Sequence, residues 1–256
     1  MSGRVVIHAG FHKTGTTSAQ RTLAANAAAL HPHLNVVLRD DMAGLRAAAR
    51  AYSKRRAAAD LAFVQAEAAH LAEGWDTRPV LLSSEDLCGH MPGRHGLQDY
   101  GAAPKLLAAM VEAWRAARPK AALSIVLTTR AAAPWLRSCY VQHLRTTDIT
   151  LDAAEYAALY AASADLARAV ADIARAVDCP VEALPLEEIG ADPVGPAGAL
   201  LQRAAPGLDV AALRPLPPAN AAPPQAKIDA MLAVNRRGLS KTDRRAAMQE
   251  LHRQEW

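Results

Sequence analysis

Short apolar runs alternate along the chain with longer Ala- and Leu-rich stretches. The runs at residues 5–9, 80–83, 123–128 and 181–184 are short and predominantly apolar and read as buried parallel strands. A weaker run covers residues 35–38. The stretches at 17–30, 42–73, 103–118, 134–144 and 152–177 repeat their apolar positions at helical spacing. Strand alternating with helix predicts an α/β fold in three layers, a parallel sheet of four or five strands with helices on both faces. Residues 214–224 read Arg-Pro-Leu-Pro-Pro-Ala-Asn-Ala-Ala-Pro-Pro, a composition that precludes helix and central strand and predicts an extended connection. Residues 226–251 return to helical composition with a break at Gly238, Leu239 and Ser240, which predicts a pair of C-terminal helices. The expected organisation is a single domain over residues 1–256, with its core at 1–213 and the Pro-rich segment and helical extension at 214–256.

The first strand is followed by Gly10, Phe11, His12, Lys13, Thr14, Gly15, Thr16 and Thr17, with a helix expected from about Ser18. Two glycines five positions apart let the backbone curl so that successive N–H groups point inward, and the helix N-terminus adds partial positive charge. Lys13 supplies a mobile cation, and the hydroxyls of Thr16 and Thr17 supply neutral donors. This combination predicts a phosphate-binding loop. A Walker A loop requires Lys directly after its second glycine, whereas here Thr16 follows Gly15 and the lysine precedes that glycine by two positions. The metal-holding half of a nucleoside-triphosphatase is represented only by Glu85 and Asp86 after the strand at 80–83.

The loop resembles the signature of the sulfotransferases that use 3'-phosphoadenosine 5'-phosphosulfate (PAPS), which reads Pro-Lys-Ser/Thr-Gly-Thr-Thr. The chain matches it at Lys13, Thr14, Gly15, Thr16 and Thr17, with His12 in the proline position. The resemblance, to P-loop-like sulfotransferases of bacterial type, implies that Lys13, Thr14, Gly15, Thr16, Thr17 and Ser18 bind the 5'-phosphosulfate. A second match lies at residues 123–130, a strand ending in Arg130, with Ser138 eight residues on; the family directs this pair to the 3'-phosphate of the cofactor. A forked guanidinium and a hydroxyl donor suit a dianionic phosphate. A third match is the strand at 80–83, after which Glu85 stands where the family carries its general base. A carboxylate at the C-terminal edge of an open α/β sheet, beside a phosphate loop, is positioned to accept a proton. Residues 181–193 resemble the family's last strand and acidic turn, so the resemblance runs over most of the chain. Two departures stand out. The basic and glycine-rich block that grips the 3'-phosphate from the C-terminal side in cytosolic members is missing, leaving Arg236, Arg237 and Lys241 as candidate substitutes, and Ser18 replaces the Trp that often follows the threonine pair. The resemblance implies PAPS as cofactor and sulfuryl transfer to a hydroxyl or amine, with Lys13 and Glu85 as catalytic residues and no metal. The alternatives are a P-loop small-molecule kinase using ATP and magnesium, and a nucleotide-binding protein without catalysis.

Composition narrows these options. Hydrophobic residues make up 51% and charged residues 21%, which fits a chain with a packed core. A net charge of +4 is compatible with anion binding, but the aromatics are only 4% and are not interleaved with the basic residues, unlike a single-strand nucleic-acid surface. No nucleic-acid partner is expected. Every apolar stretch long enough to span a bilayer carries charges, and no secretory signal is visible at the start, so a cytoplasmic protein without membrane insertion is expected. Three cysteines at wide spacings fit reduced thiols. His8 reads as a core histidine, His12 as a loop residue near cofactor or acceptor, and His90 as a reserve base. Cys88 with His90 and His95 fits no standard zinc spacing. The acceptor segments at 88–100, 146–155 and 214–224 have mixed charge and few aromatics, leaving small-molecule, glycan, lipid and peptide acceptors open.

Overall fold

The computed structural model describes residues 3–217 and 222–254. Five strands, β1 (Arg4–His8), β2 (Asn35–Val37), β3 (Val80–Ser83), β4 (Ala122–Thr129) and β5 (Val181–Pro185), form one parallel sheet in the order β2-β3-β1-β4-β5. Each overlaps one of the apolar runs; β1, β3 and β4 are mostly buried, as strands covered on both faces are, whereas the edge strand β5, expected to be buried, leaves Glu182 and Ala183 exposed. The helices before β4 are α1 (Thr16–Ala25), α2 (Ala27–Leu30), α3 (Ala43–Arg55), α4 (Ala58–Glu73) and α5 (Ala103–Ala117). Those after it are α6 (Ala132–Thr146), α7 (Ala153–Leu159), α8 (Leu166–Ala176), α9 (Leu186–Ile189), α10 (Pro196–Ala204), α11 (Gln225–Arg236) and α12 (Lys241–Arg253).

The chain divides into two compact units, residues 1–130 with 165–219 and residues 131–164 with 220–256. The first unit contains the sheet. Val6, Leu81 and Val126 pack from one face against Ala19 and Leu23 of α1, Leu30 of α2, and Ala197, Leu200 and Leu201 of α10. On the other face α8 packs on β4 and β5, and α5 packs on α8 and α4. The second unit is helical: α6 packs on α7 and α11, and α11 on α12. Asn235 of α11 donates to the carbonyls of Leu144 and Ile149 at 3.1 and 2.9 Å and accepts from Arg244 Nε at 2.8 Å. The first of these bonds satisfies a carbonyl in the last turn of α6, where a helix has no partner of its own to offer. No helix among the described residues is long and apolar enough to cross a membrane.

Three of the expected helices are broken. The stretch at 42–73 turns back at Arg56, which adopts a left-handed conformation (φ 54°) without being glycine. The Arg56 guanidinium lies over the Tyr52 ring at 5.8 Å, and Arg55 pairs with Asp60 in the first turn of α4, so side-chain contacts hold a turn that the residue type disfavours. The stretch at 152–177 stops at Leu159 and restarts when Asp165 caps α8 through the Arg168 N–H, at the boundary between the two units. The stretch at 17–30 is interrupted at Asn26, whose buried side chain donates to the carbonyls of Thr22 and Arg214 and accepts from the Arg214 N–H. The core helix α10 was not expected from the pattern; Pro196 at its first position after Gly195 (φ 60°) is a start signal of the ordinary kind. Residues 218–221 of the Pro-rich segment lie outside the described residues.

Candidate functional site

The loop leaves the sheet at its centre. After β1, Ala9 N–H still donates to Val126 O at 3.1 Å and Phe11 N–H to Thr128 O at 3.4 Å; the chain then turns into α1. Lys13 (φ 70°) and Gly15 (φ 93°) are both left-handed, a conformation that costs a non-glycine residue about 1–2 kcal/mol. A Cβ on Gly10 would stand 2.6 Å from His8 Nε2 and closer still to Thr128 Oγ1, and one on Gly15 would stand 2.7 Å from Leu186 Cδ1. Gly10 is therefore fixed by close approach and Gly15 by its left-handed backbone. Gly15 is the N-cap of α1 and provides no side-chain cap. Thr16 is buried, and its hydroxyl has no hydrogen-bond partner among the described residues. A buried, unsatisfied donor beside a lysine at the start of a helix fits the oxygen of a bound phosphate group.

The other expected ligands of that group divide by exposure. Lys13 and Ser18 are half-buried and Thr17 is exposed at the mouth of the helix. Thr14 is turned inward: its hydroxyl donates to Phe11 O and lies 2.7 Å from Thr128 Oγ1, so what it can offer a ligand is its backbone N–H. Arg130 follows β4, and its Nη1 donates to the Lys13 carbonyl at 3.3 Å, which joins the second motif to the first. Ser138 sits half-buried on α6 in the second unit. Arg236 Nε donates to Thr150 O within that unit, while Arg237 is the C-cap of α11 and Lys241 begins α12, both exposed.

Glu85 opens a 3-10 turn (Glu85–Cys88) directly after β3. Its carboxylate accepts from Gln20 Nε2 of α1 at 3.4 Å and lies 3.7 Å from Arg39 Nη1. The same Gln20 amide donates to Ser83 O at 2.9 Å, so the helix that follows the loop also aims Glu85. Asp86, which the sequence offered only as half of a magnesium pair, is instead a structural anion. Its Oδ2 accepts from Arg46 Nε at 2.9 Å and Arg50 Nη1 at 2.8 Å, and His12 Nε2 lies 3.8 Å from Oδ1. Burial alone would raise this carboxyl, but His12, Arg46 and Arg50 outweigh it and hold the group well below the usual carboxylate range. A carboxylate oxygen that already serves two guanidiniums is poorly suited to a magnesium ion, and no group of three or more His, Cys, Asp or Glu among the described residues could hold a metal. Arg46 and Arg50, four apart on α3, carry the only signal in the sequence that could have revealed this cluster.

His12 is held between Tyr100 and Asp86: Tyr100 Oη accepts from the His12 backbone N–H at 3.1 Å and lies 3.2 Å from Nδ1. His90 faces His95 with ring centres 4.6 Å apart; burial first, then His95 and Arg50, push His90 down to about 4. His8 is completely buried, with Nδ1 2.8 Å from Ser83 Oγ and Nε2 3.2 Å from Thr128 Oγ1, and burial holds it down to about 3. All three cysteines are free thiols, and Cys88 donates its S–H to Ala9 O at 2.9 Å.

The fold that carries this loop has a counterpart among solved structures. The crystal structure of a sulfotransferase from Alicyclobacillus acidocaldarius aligns with 100% of this chain and 98% of its own, with a TM-score of 0.51 and 17% identity. The fold is sulfotransferase-like. Comparison with protein-family models and with curated proteins found no match. The sulfotransferase-like fold brings the loop, Arg130 and Glu85 to the C-terminal edge of adjacent strands β3, β1 and β4, where ligands of open parallel sheets bind.

Proposed function

We propose that the protein transfers a sulfuryl group from PAPS to a hydroxyl or amine of a small-molecule, glycan or lipid acceptor by in-line displacement. One observation carries this reading: the bond from Arg130 to the Lys13 carbonyl joins two anion-binding motifs 117 residues apart in the chain, beside the unsatisfied Thr16 hydroxyl. PAPS, when bound, supplies the activated sulfuryl group and a bisphosphate leaving group. Lys13, the first amides of α1 and the hydroxyls of Thr16, Thr17 and Ser18 hold the 5' side, Gly15 lets the backbone approach, and Thr14 contributes its N–H. Arg130 holds the 3'-phosphate through its fork, and the sequence resemblance adds Ser138 as a further donor to it. Glu85 accepts the proton of the attacking hydroxyl or amine. Lys13 stabilises the charge that gathers on the departing phosphate, a role worth on the order of 10²–10³ in rate for one preorganised group.

The test is calorimetric titration with the 3',5'-bisphosphate product in metal-free buffer, beside ATP with magnesium. Tight metal-free binding of the bisphosphate, weakened by Arg130→Ala, is expected. Binding of ATP with magnesium alone would overturn the reading in favour of a kinase.

A further inference from the structure

Beneath the phosphate loop runs a chain of side-chain hydrogen bonds that no step of sulfuryl transfer uses. It crosses three strands: Ser83 at the end of β3, His8 at the end of β1 and Thr128 near the end of β4, then Thr14 in the loop and finally the Phe11 carbonyl. All four side chains are buried. Because it is buried, each donor needs an acceptor within the network.

The proton order can be worked out from the loop end. Thr14 donates its single hydroxyl proton to Phe11 O. Its oxygen therefore accepts in the 2.7 Å contact with Thr128, which makes Thr128 the donor there. Thr128 Oγ1 then accepts in turn from His8 Nε2 at 3.2 Å, so Nε2 carries the ring proton. The bare Nδ1 accepts from Ser83 Oγ at 2.8 Å. Burial keeps the ring neutral, so this order holds across the working pH range.

We infer that His8 is a positioning residue of the anion site, whose Nε2–H tautomer, relayed by Thr128 and Thr14, fixes the Phe11 carbonyl and with it the left-handed Lys13. The Thr14 to Phe11 bond closes the turn that contains Lys13, the one loop residue without glycine's freedom at positive φ. Thr128 also holds Phe11 directly, since its carbonyl accepts from Phe11 N–H. Gly10 stays glycine because a side chain there would strike both Thr128 Oγ1 and His8 Nε2. The inference rests on the loop being the phosphate site, and its consequence is that ligand affinity depends on a histidine lying under the loop.

The experiment measures affinity for the 3',5'-bisphosphate in Thr128→Val and Thr128→Ser, together with the ¹⁵N spectrum of the His8 ring in the wild type. Valine keeps the shape but leaves a buried donor and acceptor unpaired, and the expected loss of affinity is about 5- to 100-fold. Serine restores the hydroxyl and is expected to recover affinity to within about threefold. The ring spectrum is expected to be that of a neutral imidazole protonated at Nε2. Should Thr128→Val fail to fold, His8→Gln, which keeps a donor toward Thr128, is expected to bind more tightly than His8→Leu. Loss of thermal stability with unchanged affinity would overturn the inference, as would a ring protonated at Nδ1. Failure of the wild type to bind the bisphosphate would instead refute the PAPS reading, leaving the ring spectrum to decide the proton order on its own.

Discussion

Arg130 Nη1 donates to the carbonyl oxygen of Lys13 at 3.3 Å, so the residue that follows β4 also steadies the strained residue of the loop. Arg130→Ala removes both that bond and the forked cation, and is expected to weaken 3',5'-bisphosphate binding by about 10- to 100-fold in calorimetry. Arg130→Lys keeps the charge but loses the fork, and should recover only part of the loss.

Lys13 and Glu85 should separate in their effects. Lys13→Ala is expected to lower the turnover rate by about 10²–10³ when the cofactor is saturating. Glu85→Gln is expected to abolish measurable transfer while leaving bisphosphate affinity within about threefold of wild type, since the amide keeps the shape. Transfer assays with radiolabelled sulfate on PAPS, run beside the titrations, read both. Full activity in Glu85→Gln would move the base elsewhere, with His90 next in line.

Asp86→Asn tests the cation cluster. Arg46 is buried with its guanidinium on that carboxylate, so removing the charge leaves a buried cation unpaired, and a loss of about 3–5 kcal/mol in urea unfolding is expected. An unchanged midpoint would mean that solvent or another carboxylate replaces Asp86.

Acid should destabilise the fold before any carboxylate titrates. His8 binds a proton near 6.5 when unfolded but only near 3 when folded, so the unfolded state takes up the extra proton between these values. Stability is therefore full above pH 6.5 and falls as the pH drops toward 3, with a slope of at most about 1.4 kcal/mol per pH unit for this one group. Below the ordinary carboxylate value of about 4, loss of the Asp86 charge acts in the same direction. His90, also held low by burial, adds to the slope, so His8→Gln is expected to flatten the pH dependence of the melting temperature only in part.

Some of this was legible before any coordinates. The central strands were plain because burial on both faces writes itself as mostly apolar runs, and β3 occupies the span of its run. The turn into α1 was plain because Gly10 and Gly15 stand between a strand-like run and a helical stretch. Helix breaks were not, since Arg56 and Asn26 are ordinary residues whose departures from the helix are held by Tyr52, Asp60 and the backbone of Arg214. The role of Asp86 was hidden for a related reason: one acidic residue beside another gives no hint of the two arginines that claim it from α3.

What the sequence determined by itself is local and periodic: five strands, a glycine-bearing turn between the first strand and its helix, and an arginine at the end of the fourth, each set by neighbours within a few positions. What only the tertiary structure decided is which distant groups complete them. Arg130 meets Lys13, Gln20 aims Glu85, and Ser83, His8, Thr128 and Thr14 share one line of protons. The reason is that a hydrogen bond depends on distances of a few tenths of an ångström and on the direction of a single proton, and those are fixed by sheet order and register, which no short segment contains.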